Sequence, residues 1–426
     1  MRRTGVRTAL GAVLMALLVG AAGAACTAEG PPKASASARI EVDKSTAFVD
    51  EPVRLRVTGL HPDERVTVTS RAVDRDGLAW SGRARYTADG DGVVDLSRRR
   101  PASGTFQETD GMGLFWSMRP HKGEADESWF FPGAPTRRPS YEVRLSVRGG
   151  GREIAHRTVT RRWLADGVRH HRLTVADDQV DGLLFLPAPG AARKAPVLLF
   201  GGSEGGRGFD QEAALLASRG HPALSLCYFA CEGKGRPKEL RDIELEYFVR
   251  AARLLRSRSG DGSDKLAVMG ASRGSEAAQL LAQYHPELVR DAVALAPGTR
   301  TVFAAAGSAE NHVSWTRAGR PVRLDPIPLD RVRGTVLAVA GGKDRLWLSA
   351  DAAASIAGRT NASGARHRAL TYEGAGHGGV GVPYQASGRY VHDQATDQWV
   401  DLGGTPADDA EAKADSWPRI RSFLSR

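Results

Sequence analysis

The first third of the chain alternates apolar and polar residues with a period of two. Residues 53–57 read VRLRV, and in residues 141–147 every second side chain is Tyr, Val or Leu. Turn-forming stretches such as DGDG at 89–92 separate these runs. A strand with one buried face shows this alternation, and short alternating strands between turns are typical of a β-sandwich. We therefore predict an antiparallel, Ig-like β-sandwich over residues 40–165.

One segment within the predicted sandwich departs from the alternation. Residues 112–118 read MGLFWSM, which is continuously apolar and aromatic. Such a run is typical of core packing, and we interpret it in that way rather than as a ligand site.

The pattern changes from about residue 170, where apolar runs alternate with helical stretches. Continuous apolar strands covered by helices are typical of a mostly parallel, doubly wound sheet, and we predict an α/β domain over residues 166–426. The predicted strands are 182–186, 197–200, 223–228, 266–269, 292–295, 335–340 and 369–372, and the predicted helices are 209–219, 243–256, 276–284, 350–356 and 409–424.

The N-terminus has the pattern of an export signal. Arginines at positions 2, 3 and 7 precede a short apolar core and a run of small residues that ends at Cys26. We predict a signal peptide over residues 1–25, with Cys26 lipidated as in bacterial lipoproteins and residues 26–39 as a flexible tether. Simple cleavage, which would leave Cys26 unmodified, is the alternative. We therefore expect an exported protein that is anchored to the outer face of the cytoplasmic membrane, or otherwise secreted.

The positive charge of the chain does not form a nucleic-acid-binding surface. The net charge is +10, and without the three arginines of the signal peptide it is +7. The basic residues lie in short, scattered runs such as RRR at 98–100. Because a nucleic-acid groove needs a basic stripe, we expect no nucleic-acid partner.

A nucleophile elbow is the strongest chemical motif. Gly270-Ala271-Ser272-Arg273-Gly274 follows a predicted strand and leads into an alanine-rich helix. Glycines on both sides permit the sharp turn that exposes the serine hydroxyl at the start of the helix. We therefore predict Ser272 as the nucleophile.

A second stretch, GGSEG at 201–205, also has the form Gly-x-Ser-x-Gly. It follows an earlier strand and continues into a longer glycine-rich loop. In an α/β-hydrolase this loop supplies an amide to the oxyanion hole. We therefore predict the backbone amides of Gly202, Ser203 and Arg273 as oxyanion donors.

The predicted acid and base follow the serine in the order that this fold requires. Asp344 and His377 each come directly after an apolar strand, in GGKD and GAGHG. Both are therefore expected at the carboxyl edge of the sheet. No His, Cys and Asp cluster shows metal-ligand spacing, so we expect neither a metal nor a cofactor.

Three cysteines are too few for a disulfide framework. Cys227 and Cys231 are the pair that remains after processing at Cys26. An extended chain would hold their Cα atoms roughly 13 Å apart, too far for a bridge. We expect free thiols, and the alternative is a disulfide made possible by a turn at residues 229–230.

The motifs resemble those of the acyl-CoA thioesterase/bile acid-CoA:amino acid N-acyltransferase family. The resemblance is carried by VDEPV at 49–53, VTGL at 57–60, GLFWSM at 113–118, IELEYF at 243–248, GASRGSE at 270–276, GGTP at 403–406 and DSWP at 415–418. It implies a triad of Ser272, Asp344 and His377. It also links a serine nucleophile to hydrolytic members and a cysteine to members that transfer acyl groups to amines.

These observations predict a serine hydrolase that cleaves a small acyl ester or thioester, such as an acyl-CoA, through an acyl-Ser272 intermediate. Transfer of the acyl group to an amine is one alternative, and a non-enzymatic envelope-binding lipoprotein is the other. An intact triad argues against the second alternative.

Overall fold

A computed structural model describes residues 35, 37–260, 266–301, 313–393 and 397–426. The predicted signal peptide and Cys26 lie outside these residues. Within the part of the chain that the model describes, no helix combines the length and the apolar character needed to cross a membrane.

Two β-sheets form the N-terminal half of the described chain. One has the strand order β1-β3-β6, and the other has the order β2-β10-β9-β4-β5-β7, with β8 paired to β5. The elements are β1 (Arg39–Val42), β2 (Thr46–Phe48), β3 (Leu55–Thr58), β4 (Arg65–Val73), β5 (Ala79–Thr87), β6 (Val94–Asp95), β7 (Ser103–Gly104), α1 (Gly113–Trp116), β8 (Arg119–Pro120), β9 (Ser140–Gly149) and β10 (Arg152–Arg162).

The period-two pattern produces these sheets as predicted. In β9, Tyr141, Val143, Leu145 and Val147 are buried while the residues between them are more exposed. The strands pair antiparallel except for β2, which runs parallel to β10. The apolar segment 112–118 forms α1 and its flanks, and its side chains are buried in the core as expected.

An eight-stranded sheet organises the C-terminal half, with the order β11-β12-β14-β13-β16-β17-β20-β21. All pairs from β14 to β21 are parallel, whereas β11 and β12 are antiparallel to their neighbours. The elements are β11 (Arg169–Leu173), α2 (Val175–Asp178), β12 (Asp181–Leu186), β13 (Val197–Phe200), α3 (Asp210–Ala217), β14 (Ala223–Cys227), β15 (Ile243–Glu244), α4 (Leu245–Ser259), β16 (Leu266–Ala271), α5 (Arg273–Tyr284), β17 (Val289–Leu295), β18 (Trp315–Arg317), β19 (Arg320–Pro321), β20 (Val336–Gly341), α6 (Ser349–Ala357), β21 (Arg368–Tyr372), β22 (Tyr390–Asp393), β23 (Gln398–Asp401) and α7 (Pro406–Leu424).

The predicted α/β class is confirmed, and two differences have local causes. The closing helix α7 begins at Pro406 rather than at 409, because the Thr405 side chain accepts a hydrogen bond from the Asp408 amide at 3.2 Å and caps it. The edge strand β11 has the polar sequence RHHRL, which carries no apolar run. The strand forms because its backbone pairs with β12, and not because of an apolar pattern in its own sequence.

The two halves pack together within one compact unit, Ala34–Arg426. Asp50, on the sandwich side, is buried and accepts hydrogen bonds from Arg219 at 2.6 Å and from the Trp417 indole at 2.7 Å. A buried carboxylate needs such partners, so this cluster joins the sandwich to α7. The predicted boundary between residues 165 and 166 lies between β10 and β11 and stays a prediction.

Candidate active site

Ser272 occupies the turn between β16 and α5. Its backbone has φ 53° and ψ −123°, which is unusual for a residue other than glycine. Its amide donates to the Leu295 carbonyl at 2.9 Å, which ties the turn to β17. The serine is therefore held in a strained conformation at the start of a helix, as the elbow motif predicts.

Two glycines allow the elbow to form. A Cβ at Gly270 would lie 2.2 Å from the Gly274 carbonyl oxygen, and a Cβ at Gly274 would lie 2.2 Å from the Gly201 carbonyl oxygen. Neither position can accept a side chain. The second contact also shows that the elbow packs directly against the loop that follows β13.

Asp344 and His377, the acid and base that the sequence predicts, lie next to each other and share a hydrogen bond. The Nδ1 atom of His377 lies 2.8 Å from Oδ2 of Asp344. The Asp344 side chain is only 1% exposed, and its Oδ1 accepts the amides of Leu346 and Trp347 at 2.9 and 3.3 Å. These bonds fix the carboxylate, which in turn fixes the orientation of the imidazole.

The three predicted triad residues follow β16, β20 and β21, whose carboxyl ends lie at one edge of the sheet. Because Nδ1 of His377 binds Asp344, Nε2 is the atom left for a nucleophile. The hydrogen bond from Ser272 to Nε2, and the catalytic role of the three residues, stay predictions of the sequence.

The predicted oxyanion loop contains a feature that the sequence reasoning missed. The Gly202 amide donates to both carboxylate oxygens of Glu204, each at 2.9 Å. This carboxylate lies beside the nucleophile, because a Cβ at Gly202 would lie 3.1 Å from Glu204 Oε2 and 2.7 Å from Ser272 Cβ. Glu204 is exposed as a residue, but desolvation of its carboxylate raises its pKa, and the hydrogen bond from the Gly202 amide and the nearby His377 partly oppose this increase. The predicted Gly202 donor is therefore already bound within the chain.

The other two predicted oxyanion residues differ in their surroundings. Ser203 is exposed, whereas Arg273 is the first residue of α5. The Arg273 guanidinium donates to Glu276 at 2.7 Å, and the Trp315 indole donates to the same carboxylate at 2.7 Å. Burial raises the pKa of Glu276 to about 7.

The segment after β14 holds the oxyanion loop in place. The buried Tyr228 hydroxyl donates to the carbonyls of Gly201 and Gly202, both at 3.0 Å. The Gly206 amide donates to the Phe229 carbonyl at 3.0 Å. These bonds connect the loop beside the nucleophile to a neighbouring strand end.

The expectation of free thiols at Cys227 and Cys231 is wrong. The two cysteines form a disulfide, with their Cα atoms 5.8 Å apart. The chain turns between them, because Ala230 adopts a left-handed conformation with φ 47°. This turn removes the extended geometry on which the expectation depended, and the bridge encloses the residues that hold the oxyanion loop.

A buried polar cluster supports the loop that carries His377. Asp409, on α7, accepts the Gly376 amide at 2.8 Å. Lys413 is buried one helical turn away, and both Asp409 and Glu212 counter the lowering of its pKa by burial. The cluster fixes the backbone immediately before His377.

A cavity of about 630 Å³ opens beside the elbow. Its walls include Arg273, Pro297, Pro326, Trp347 and Leu348. The Trp347 ring also packs edge-on against the His377 ring, with centroids 5.5 Å apart. The cavity is therefore bordered by residues that neighbour Ser272 and His377, and it is large enough for a small acyl group.

The mostly parallel sheet, the elbow at Ser272 and the hydrogen-bonded Asp344 and His377 after later strands are the features of a hydrolase of the α/β-hydrolase fold. Residues 50–175 match the model of the acyl-CoA thioester hydrolase/BAAT N-terminal region, and residues 243–426 match that of the BAAT/acyl-CoA thioester hydrolase C-terminal region. The chain therefore belongs to the acyl-CoA thioesterase/bile acid-CoA:amino acid N-acyltransferase family.

Similar proteins extend over most of the chain. Acyl-coenzyme A thioesterase 1 from Mus musculus is 28% identical, and acyl-coenzyme A thioesterase 6 from the same organism is 29% identical. The peroxisomal succinyl-coenzyme A thioesterase of Mus musculus is 28% identical. Each alignment covers 88% of this chain and 93% of the relative.

Proposed function

We propose that this protein hydrolyses acyl-CoA thioesters through a covalent acyl-Ser272 intermediate. The observation that carries the proposal is the strained elbow serine at the same sheet edge as the hydrogen-bonded His377 and Asp344. The similarity to acyl-coenzyme A thioesterases supports the substrate class.

In the first half-reaction, the Ser272 oxygen attacks the thioester carbonyl carbon and its proton passes to Nε2 of His377. The carbon–sulfur bond then breaks, and the departing sulfur takes the proton from His377 and leaves as a thiol. Asp344 stabilises the imidazolium that forms between these two steps.

In the second half-reaction, water attacks the acyl-Ser272 ester. His377 takes a proton from the water and returns it to the serine oxygen as the free acid leaves. An oxygen ester is readily attacked by activated water, which is why a serine nucleophile favours hydrolysis over transfer to an amine.

The carbonyl oxygen of the substrate needs hydrogen-bond donors while it carries negative charge. In this proposal it displaces the Glu204 carboxylate from the Gly202 amide, and the Arg273 amide is a further donor. The cavity of about 630 Å³ beside Trp347 receives the acyl group.

The test is a thioesterase assay that follows thiol release from short- and medium-chain acyl-CoA. The wild-type protein should release thiol and free acid without an added acceptor, and Ser272→Ala should lose about 10⁶-fold in kcat. Ser203→Ala is the matched control, because it removes the exposed serine of the second Gly-x-Ser-x-Gly motif. Equal turnover by wild type and Ser272→Ala would overturn the proposal, as would N-acyl conjugates replacing free acid when glycine is supplied.

We also propose that the protein is exported and anchored to the membrane by a lipid on Cys26. The basic residues at 2, 3 and 7, the short apolar core and the cysteine after Ala-Ala support this proposal. Cys26→Ala should move the protein from the membrane fraction to the soluble fraction. An unprocessed N-terminus on the cellular protein, found by mass spectrometry, would contradict export.

A further inference from the structure

A second cleft, of about 910 Å³, lies where the sandwich meets the eight-stranded sheet. Both halves of the chain contribute to its walls. The arginines in its walls are Arg75, Arg137, Arg138, Arg172 and Arg207, and His170 lies beside them. The triad does not use these residues, and the mechanism above assigns them no role.

The cleft lies close to the nucleophile along two paths. The oxyanion loop runs from Gly202, which contacts Ser272, to Arg207 in the cleft wall. Five residues of chain span at most roughly 17 Å. On the other side, the Trp129 ring lies 3.3 Å from the place that a Cβ on Gly378, next to His377, would occupy. Phe131, two residues after Trp129, lines the cleft.

The cleft has more positive than negative side chains, so some positive charge remains after its ion pairs are counted. Its five arginines face four carboxylates: three in the wall, of which Glu232 is one, and the buried Asp181. Three of the arginines are ion-paired: Arg75 with Asp76 at 3.4 Å, Arg172 with Asp181 at 2.9 Å, and Arg207 with Asp210 at 3.4 Å. Arg138 donates to the carbonyls of Asp74 and Pro132 instead of to a carboxylate. Arg137 is exposed and makes no ion pair with any residue that the structure describes. An anion that enters the cleft therefore meets the guanidinium groups of Arg137 and Arg138, which no carboxylate of the described residues neutralises.

An aromatic side chain accompanies the positive charge. Phe131 is 48% exposed, and the Arg75 guanidinium lies 5.4 Å from the centre of its ring. An exposed phenyl ring next to arginines provides a surface on which a nucleotide base can stack while its phosphates are bound.

We propose that this cleft binds the phosphate-bearing nucleotide end of the substrate's leaving group, while the thioester lies at Ser272. The proposal rests on the proposed thioester hydrolysis and identifies the part of the chain that selects a coenzyme A thioester over a simple one. It also gives the N-terminal half a role, because Arg75, Phe131 and Arg137 come from that half.

The test compares an acyl-CoA with the N-acetylcysteamine thioester of the same acyl group, which has no phosphates and no base. Arg75→Ala/Arg137→Ala should raise the ratio of the two KM values, acyl-CoA over truncated thioester, about tenfold. Phe131→Ala should raise it less. Arg65→Ala is the matched control, because this exposed arginine lies at the other end of β4 from Arg75. High salt should raise the KM for acyl-CoA alone.

A binding experiment separates this inference from the proposed function. Free CoA, adenosine 3′,5′-bisphosphate and inorganic phosphate are titrated calorimetrically into the Ser272→Ala protein. This binding measurement does not depend on turnover. CoA and the bisphosphate should bind, and the two arginine substitutions should weaken both about tenfold. Tight binding of inorganic phosphate alone would overturn a nucleotide site, and so would an unchanged KM ratio together with unchanged CoA affinity in the arginine variant.

Discussion

Asp409 on α7 should position His377 although it is not a member of the triad. Its Oδ1 accepts the Gly376 amide at 2.8 Å, one residue before His377. Its negative charge also opposes the lowering of the Lys413 pKa by burial. Asp409→Ala therefore removes a fixed contact of the catalytic loop and one of the two carboxylates that act on a buried cation.

The size of the effect follows from these contacts. A buried amide without an acceptor costs about 1–3 kcal/mol. Removing the partner of a buried charge costs about 3–5 kcal/mol, and less here because Glu212 remains near Lys413. We expect Asp409→Ala to lose about 2–4 kcal/mol of unfolding free energy. A shift of about 1 Å at His377 should lower kcat on the order of 100-fold.

The assay is steady-state kinetics on an activated ester at a temperature where each variant is folded, with urea unfolding in parallel. KM should change little, because Asp409 contacts the backbone of the His377 loop and is not expected to contact the substrate. Asp409→Asn keeps an acceptor oxygen for the Gly376 amide and should recover most of kcat. Glu411→Ala, an exposed substitution on the same helix, is the control. Wild-type kcat in a destabilised Asp409→Ala protein would refute the positioning role.

Three further predictions concern the surroundings of the site. Reduction of the disulfide, or the double substitution Cys227→Ala/Cys231→Ala, should lower the free energy of unfolding by about 2 kcal/mol. It should also lower kcat, because the bridge encloses the residues that hold the oxyanion loop. Unchanged kcat after full reduction, checked by alkylation and mass measurement, would contradict this prediction. Tyr228→Phe removes the hydroxyl that donates to the Gly202 carbonyl and should lower kcat about tenfold with KM nearly constant, whereas a change in KM alone would assign Tyr228 to substrate binding. Burial raises the pKa of Glu212 from 4.5 to about 7, so between these pH values the folded protein holds a proton that the unfolded chain has lost. The free energy of unfolding should therefore fall as pH rises through that window, by up to roughly 3 kcal/mol. Urea unfolding of Glu212→Gln should show a flatter pH dependence, and the same pH dependence in both proteins would show that the carboxyl ionises normally.

The sequence was sufficient for the parts of the site that depend on local pattern. The elbow motif, a strand followed by glycines around Ser272, needs only a few adjacent residues to be recognised. Asp344 and His377 were predicted as acid and base because each follows an apolar strand. The structure joins these two residues, which are 33 positions apart, with a hydrogen bond.

The features that the sequence analysis missed depend on tertiary contacts or on a single backbone angle. The Cys227–Cys231 bridge requires the left-handed conformation at Ala230, for which alanine gives no signal. Asp409 acts on the His377 loop only because α7 packs against it, and nothing in the helix pattern indicates that contact. Glu204 stands within a motif in which its position accepts any residue.

Trapping the acyl-enzyme shows whether Ser272 carries the acyl group during turnover. The protein is mixed with p-nitrophenyl acetate, quenched in acid within the first turnover, digested and mapped by mass spectrometry. We expect one acetyl group, on the peptide that contains Ser272, and no acetyl group on that peptide in Ser272→Ala. An acetyl group on Ser203 instead, or turnover with no acylated peptide, would contradict an acyl-Ser272 intermediate.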